Sequence, residues 1–322
     1  MKQLASKLGR RLASSPRARR LVYELRNRRT FADLYQHDRM LADRVRTDAY
    51  WAAISKHVSE GDVVIDLGTG SGVLSLFAAR QGARVHAIEH GPIIEVAREV
   101  ARDNGATGIE FHRANSLRFE LPDKVDAIIH EQIGDALFDE LVVTNIADLR
   151  DRLLKPGGRV YPHRLTLYIE PVQLQEQFRA PFAWQQELHG VGFGALQRFA
   201  ATQGHGYLYR TFRPFPFDRF LCSPEAVVSI DLETANQSDL PKRIAYDRPV
   251  VREGLLDGFC VYFEARFDDE IAFTSSPADT PTSWGTPFLR VSPRRVAPGD
   301  SVRLELTADD LAHPSTWSWN WR

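Results

Sequence analysis

Hydrophobic positions between residues 21 and 57 recur at helical spacing, with polar breaks around residues 28–30, and the stretch FADLYQHDRMLADRVRTDAYWAAI predicts two short helices. Beyond residue 60 the rhythm changes. GDVVIDLGTG is a short β-branched run ending in glycines, LSLFAARQG has helical spacing, and ARVHAIEH is a second short strand. IIEVAREVARDNG follows as a helix stopped by Asn-Gly, IEFHRAN as a third strand and VDAIIHE as a fourth. Strands alternating with helices of this length predict right-handed βαβ units and a parallel sheet. A helix LFDELVVTNIADLRDRLL, starting near Ala136, and the stop KPGG close this half.

After residue 164 the helical rhythm mostly disappears. LTLYIEPV, VVSIDLE, GFCVYFEARF, FLRVSP and SVRLELT alternate with Pro, Gly, Asp and Ser turns, the texture of an antiparallel sheet or barrel. The boundary therefore falls near residue 163. The closing STWSWNWR puts Trp317, Trp319 and Trp321 on one face of a strand. That stripe reads as a buried sheet face rather than as a platform for stacked bases.

Composition adds little until charge is resolved along the chain. With 43% apolar and 26% charged residues among 322, the chain has the make-up of a folded protein and is long enough for two domains with real cores. No stretch approaches eighteen apolar residues and no secretory h-region is visible, so a cytoplasmic location and no membrane partner are expected. Cys222 and Cys260 lack metal-ligand spacing, and neither a disulfide framework nor a metal site is expected. The net charge of −1 hides an asymmetry: residues 1–30 carry ten Lys/Arg and one acid, which leaves −10 for the remainder. Such an arm suits nucleic acid, an acidic peptide or the protein's own body, and equally a plain solvated helix. With no aromatic-basic signature elsewhere, a nucleic-acid partner is not expected.

The candidate chemistry begins in VVIDLGTGSG, which sets Asp66, Gly68, Gly70 and Gly72 at the end of the first strand, where backbone N–H groups can approach a ligand. The dinucleotide fingerprint G-x-G-x-x-G fails here, because Val73 stands at its last position and the third glycine comes one residue early. An NAD-dependent oxidoreductase is thereby disfavoured. Glu89 ends the second strand, where a carboxylate can accept from both hydroxyls of a ribose. Asn115 and Ser116, after the third strand, fall where contacts to an adenine edge are made. The pattern Asp-x-Gly-x-Gly-x-Gly resembles the first motif of class I S-adenosylmethionine-dependent methyltransferases.

HEQIGDALFDE, residues 130–140, crowds Glu131, Asp135, Asp139 and Glu140 at the end of an apolar strand, although carboxylates there lose hydration and need a partner. Asp135 and Asp139 read as cap and charge complement of the helix starting near Ala136. Glu131 sits where an open α/β sheet binds its ligand.

With these residues in view, positions 35–322 resemble the protein arginine methyltransferase family. HEQIGDALFDE is similar to its double-glutamate loop, with the same spacing of nine, MLADRVRTDAY to the helix that folds over the cofactor, GGRVYPHRLTLYIEP to its barrel entry, TSWGTPFL to its Thr-His-Trp loop and WSWNWR to its last strand. The resemblance implies an α/β fold in three parts. A basic arm and cofactor-covering helices occupy residues 1–45, a Rossmann-like class I methyltransferase domain residues 46–163, and an antiparallel β-barrel-like domain residues 164–322. It also implies S-adenosylmethionine as cofactor, Arg46 as partner of the cofactor carboxylate, Met40 facing the substrate channel, and a homodimer through an arm near residues 205–228. A guanidinium is protonated and a poor nucleophile. Two carboxylates can draw its charge to one nitrogen and aim the other, which assigns Glu131 and Glu140 as the catalytic pair. Ser283, before Trp284, replaces the family histidine, and His130 precedes Glu131 where a small residue is common. His130, Ser283 and Trp284 are accordingly read as substrate-binding residues. His130 fits either a relocated imidazole or an ordinary strand-end histidine.

The function expected is N-methylation of a guanidino or amino group in a protein, peptide or small molecule. Two alternatives stay open: a natural-product methyltransferase acting on another amine or on oxygen, and a non-catalytic cofactor-binding partner. High Arg, Ala and Leu usage suggests a bacterial chain. Substrate identity, the number of methyl groups added and the role of the basic arm are not written in the sequence.

Overall fold

The computed structural model describes residues 33–202 and 204–322, so the basic arm of residues 1–30 lies outside the described residues. By proximity along the backbone the chain parts into two units, one ending at Glu131 and one beginning at Gln132.

In the first unit, helices α1 (Leu34–Ala42) and α2 (Arg44–His57) are separated by one residue, Asp43. Its extended backbone ends α1, and its carboxylate accepts the Arg46 N–H at 3.1 Å to cap α2. Then follow β1 (Val63–Leu67), α3 (Val73–Arg80), β2 (Arg84–Glu89), α4 (Ile94–Asp103), β3 (Ile109–Arg113) and β4 (Val125–His130). The strands run parallel in the order β3-β2-β1-β4. Such a sheet needs cover on both faces. Val64, Ile65 and Leu67 of β1 and Ile128 and Ile129 of β4 are accordingly all buried, as are Ile94, Ala97 and Ala101 on one side of α4. Asn104 and Gly105 end α4, the glycine with φ +60°, as the Asn-Gly signal predicts.

The second unit opens on an irregular loop, then α5 (Val142–Leu153) and β5 (Leu154–Tyr161). The expected helix start near Ala136 is corrected by the structure. Leu137 and Leu141 have φ of +69° and +59°, conformations that no α-helix tolerates, and the helix begins only at Val142. The helix ends at Leu153, before KPGG as expected, and KPGG itself runs inside β5. α5 is tied to later residues of its unit: Thr144 Oγ1 donates to Gln237 Oε1, and Arg150 Nη1 donates to the carbonyls of Leu232 and Ala235.

Beyond α5 and β5 the strands are β6 (Arg164–Leu174), β7 (Glu187–Leu188), β8 (Val191–Gly192), β9 (Tyr209–Phe212), β10 (Phe217–Phe220), β11 (Ala226–Asp231), β12 (Arg243–Pro249), β13 (Gly254–Arg266), β14 (Ala272–Thr274), β15 (Thr286–Val296), β16 (Ser301–Ala308) and β17 (Trp317–Trp321), with a short helix α6 (Leu196–Thr202) after β8. Seven form one antiparallel sheet along β10-β6-β13-β15-β9, with β11 beside β6 and β14 beside β13. A second sheet, β12-β16-β17, buries Trp317 and Trp319 as the alternation predicts. The Tyr246 hydroxyl donates to the Ile169 carbonyl at 2.9 Å and ties the two sheets.

Residues 205–228, where a dimerisation arm is expected, carry three strands paired within the chain. β9, β10 and β11 pair with β15 and β6, and Phe212, Phe215, Phe217 and Phe220 pack with Val172, Tyr262 and Phe288, because alternating aromatics satisfy a sheet face better than water does. Five exposed large apolar side chains stand between β6 and β9, at Phe178, Leu188, Val191, Leu196 and Phe199. Among the described residues, no helix is long and apolar enough to cross a membrane.

Candidate active site

The glycine loop leaves β1 with Gly68, Gly70 and Gly72 all at positive φ, +75°, +53° and +86°. A Cβ at Gly70 would stand 3.0 Å from His37 Cε1, and one at Gly72 would stand 3.2 Å from Ala97 Cβ, so close packing adds to the positive φ in favouring glycine. Asp66 lies fully buried beneath the loop. Its Oδ2 accepts from Thr69 Oγ1 at 2.7 Å and Ser75 Oγ at 2.6 Å, while its Oδ1 is buried with no hydrogen-bond partner. Burial pushes the Asp66 carboxyl up, and the two hydroxyls oppose that.

Glu89 closes β2 within reach of the loop, accepting from Gly91 N–H at 2.6 Å and Gly70 N–H at 3.3 Å. Burial raises its pKa, but the hydrogen bonds and the adjacent His90 outweigh it and hold the carboxyl below its ordinary value. A buried carboxylate kept charged, with lone pairs remaining on both oxygens, is a suitable acceptor for a vicinal diol. Asn115 uses its Oδ1 locally, accepting the Leu117 N–H at 3.0 Å, and with Ser116 is half-buried after β3.

Arg46 projects from the first turn of α2 and is almost fully buried. Its Nη1 stands 3.1 Å from Glu131 Oε2 and its Nη2 donates to the Met40 carbonyl at 2.6 Å. Burial pushes Glu131 up to about 7 against the pull of Arg46, with Asp43 and Asp66 adding to the rise. The Tyr50 hydroxyl donates to the His130 carbonyl at 2.7 Å and fixes the strand end that carries Glu131. His130 itself is wholly buried, and Met40 half-buried.

In the second unit the loop bearing Glu140 is pinned from several sides. The Trp284 indole N–H donates to the Ile133 carbonyl at 2.6 Å, and its ring stacks on Phe273, 5.4 Å between centroids. Asp135 accepts the Gly285 N–H at 2.7 Å and pairs with Arg213; Asp139 accepts the Ala136 N–H at 3.0 Å. Neither aspartate therefore caps a helix, which corrects their expected role: both hold the loop. Glu140 and Ser283 are half-buried.

Sequence reasoning missed His37, whose imidazole overlies Gly70, and Arg213. His37 lies three residues before Met40 in HDRM, on a helix already assigned to the site, which is a usable signal; Arg213 meets Asp135 only through the fold.

The parallel unit and its glycine loop have the architecture of class I methyltransferases, and a family model described as a methyltransferase domain matches residues 58–196. A second, described as the arginine methyltransferase oligomerization subdomain, matches residues 163–313. Protein arginine N-methyltransferase PRMT10 of Arabidopsis thaliana is 30% identical over 308 residues, covering 86% of this chain and 80% of its own. Protein arginine N-methyltransferase 6 of Xenopus tropicalis is 30% identical over 295 residues, covering 88% and 85%. The crystal structure of Arabidopsis thaliana protein arginine methyltransferase 10 aligns with a TM-score of 0.74 at 29% identity, over 87% of this chain and 89% of that one. The Trypanosoma brucei PRMT1 enzyme-prozyme complex with AdoHcy shares the fold, with a TM-score of 0.76 at 24% identity, over 86% and 89%. The chain is an S-adenosylmethionine-dependent methyltransferase. It belongs to the protein arginine N-methyltransferase family.

Proposed function

We propose that this protein methylates a guanidino nitrogen of arginine in a protein or peptide, with Glu131 and Glu140 gripping the guanidinium. The observation that carries this reading is that Glu131 already holds a guanidinium, that of the buried Arg46, at 3.1 Å.

The cofactor's chemical groups match what the first unit offers. Glu89 suits the ribose hydroxyls, Arg46 the carboxylate, and the backbone at Gly68 and Gly70, free of Cβ atoms, admits close approach. Asp66 Oδ1 is an acceptor left for an N–H or O–H donor. Bound there, S-adenosylmethionine supplies an electrophilic methyl group.

Glu131 and Glu140 bind N–H groups of the substrate, drawing its positive charge toward the gripped nitrogens, so that the lone pair recovers on the nitrogen to be methylated. A bound cation favours the ionised form of Glu131, because opposite charge offsets the hydration lost on burial. Arg46 limits, without cancelling, the rise that burial imposes on the Glu131 carboxyl before substrate arrives. Trp284 and Asp135 hold the loop on which Glu140 rides, which lowers the cost of ordering it when substrate binds. The exposed apolar side chains at residues 178–199, in a region matched to the oligomerization subdomain, support assembly as a homodimer.

Mass spectrometry after offering S-adenosylmethionine with an arginine peptide, free arginine and an N-terminal amine tests the substrate class. A gain of methyl mass on the arginine side chain of the peptide is expected. Methylation of only the amine or of free arginine contradicts the proposal.

A further inference from the structure

β3 is an edge strand of the first unit, paired within that unit only with β2, and the register sets His86 opposite Glu110 and Ile88 opposite His112. Residues two apart on a strand share a face, so His86, Glu110 and His112 stand together on one side of the sheet. The distances are specific to three atoms. His86 Nδ1 and His112 Nε2 are 3.1 Å apart, and the same Oε2 of Glu110 is 3.6 Å from the first and 3.7 Å from the second.

We infer that His86, Glu110 and His112 form a binding site for a divalent first-row transition-metal ion, with Zn2+ the ion that suits the donors best. A point equidistant from three atoms so placed lies about 2.0 Å from each, the length of Zn–N and Zn–O bonds. A hydrogen bond between the two imidazoles accounts for one distance only. It leaves the carboxylate beyond hydrogen-bond reach of both nitrogens, at a separation that a shared cation explains. Two imidazoles and one carboxylate are a donor set for Zn2+ and its neighbours rather than for Mg2+ or Ca2+. The Glu110 side chain is 71% exposed, which leaves a coordination position open to water.

The surroundings favour ligation. Burial lowers the pKa of both imidazoles; Glu110 opposes at both, while Arg84 adds to the fall at His86, and His86 and Arg98 add to it at His112. Binding requires only that the proton shared between the rings move to the other nitrogen of its own ring. Phe119 packs against His112 at 4.8 Å between centroids and fixes the rings from one side. A second group, His163, Asp231 and Glu233, differs in that Arg159 and Arg164 already stand by its carboxylates. A metal at the first site joins the edge strand to β2, the strand that ends in Glu89, and stabilises the folded unit by mass action.

The test uses the full untagged chain after dialysis against a chelator. Co2+ titration should produce one saturable visible d–d band, displaced by Zn2+, and Zn2+ should raise the melting temperature. His86→Asn and His112→Asn should each lose the band and weaken Zn2+ binding by more than about tenfold, Glu110→Gln should weaken it less, and His163→Asn should leave it unchanged. Circular dichroism shows which variants fold, and the wild-type titration decides the matter if they do not. No saturable band in the folded wild-type protein, or equal Zn2+ binding by wild type and both histidine variants, would overturn the site.

Discussion

Arg46 Nη1 stands 3.1 Å from Glu131 Oε2, so the carboxylate proposed to hold a substrate guanidinium is held in advance by the protein's own. Burial dominates nonetheless and brings Glu131 to about 7 from 4.5. The consequences for activity and stability run in opposite directions. Activity needs the carboxylate, so kcat/KM should fall as pH drops below about 7. A raised acid pKa means that the folded protein binds a proton the unfolded chain does not, so the contribution of this group to stability declines as pH rises from 4.5 to 7. Arg46→Met should move the acid limb of kcat/KM to higher pH, which a pH-rate profile of both proteins measures. An unmoved limb would separate it from Glu131.

Glu89 is held charged inside the first unit, and its loss should be felt by the cofactor. Glu89→Ala should weaken S-adenosylhomocysteine binding by about 1–3 kcal/mol, the range for losing hydrogen bonds to a charged group. Calorimetry gives the value directly, and unchanged affinity would remove Glu89 from the site.

Trp284 touches the loop carrying Glu140 through one hydrogen bond and through ring packing, which can be parted. Trp284→Phe keeps an aromatic ring beside Phe273 and deletes the bond to the Ile133 carbonyl, at a cost of about 1 kcal/mol in stability. Turnover should drop while cofactor affinity holds, because the loss falls on the glutamate loop. Equal loss of both would make Trp284 a general structural residue.

Leu188 and Val191, on the β7-β8 hairpin, are 53% and 57% exposed, an expensive display for apolar side chains in a monomer. Light scattering of the wild type should return about twice the chain mass of 36.5 kDa, and Leu188→Asp with Val191→Asp should lower it. A concentration-independent monomer mass for the wild type would contradict the homodimer.

The parallel unit was legible because its signals are local: apolar runs for buried strands, glycines where φ turns positive, Asn-Gly at the end of α4. Glu89 and Glu131 could be placed because each ends such a strand. What failed was decided by contacts distant in sequence. Leu137 and Leu141 look helical by type, yet the loop is bent by Asp135 and Asp139 bonding to Gly285 and Ala136 N–H groups. The packing of the aromatics of residues 212–220 against β6 and β15 has no local signal either, because those strands are distant in sequence. His86 and His112 lie on different strands, and no spacing rule brings them to 3.1 Å; only the register does.

Substitution by the neutral isostere tests the glutamate pair most directly, because it keeps shape and removes charge. Methyl transfer to an arginine peptide, followed by mass spectrometry for Glu131→Gln, Glu140→Gln and the control Asp139→Asn, should fall by about 100-fold or more in both glutamine variants, with S-adenosylhomocysteine affinity nearly intact, and far less in the control. Near-wild-type turnover in either glutamine variant, or a product methylated on a carboxylate or hydroxyl, would contradict the clamp.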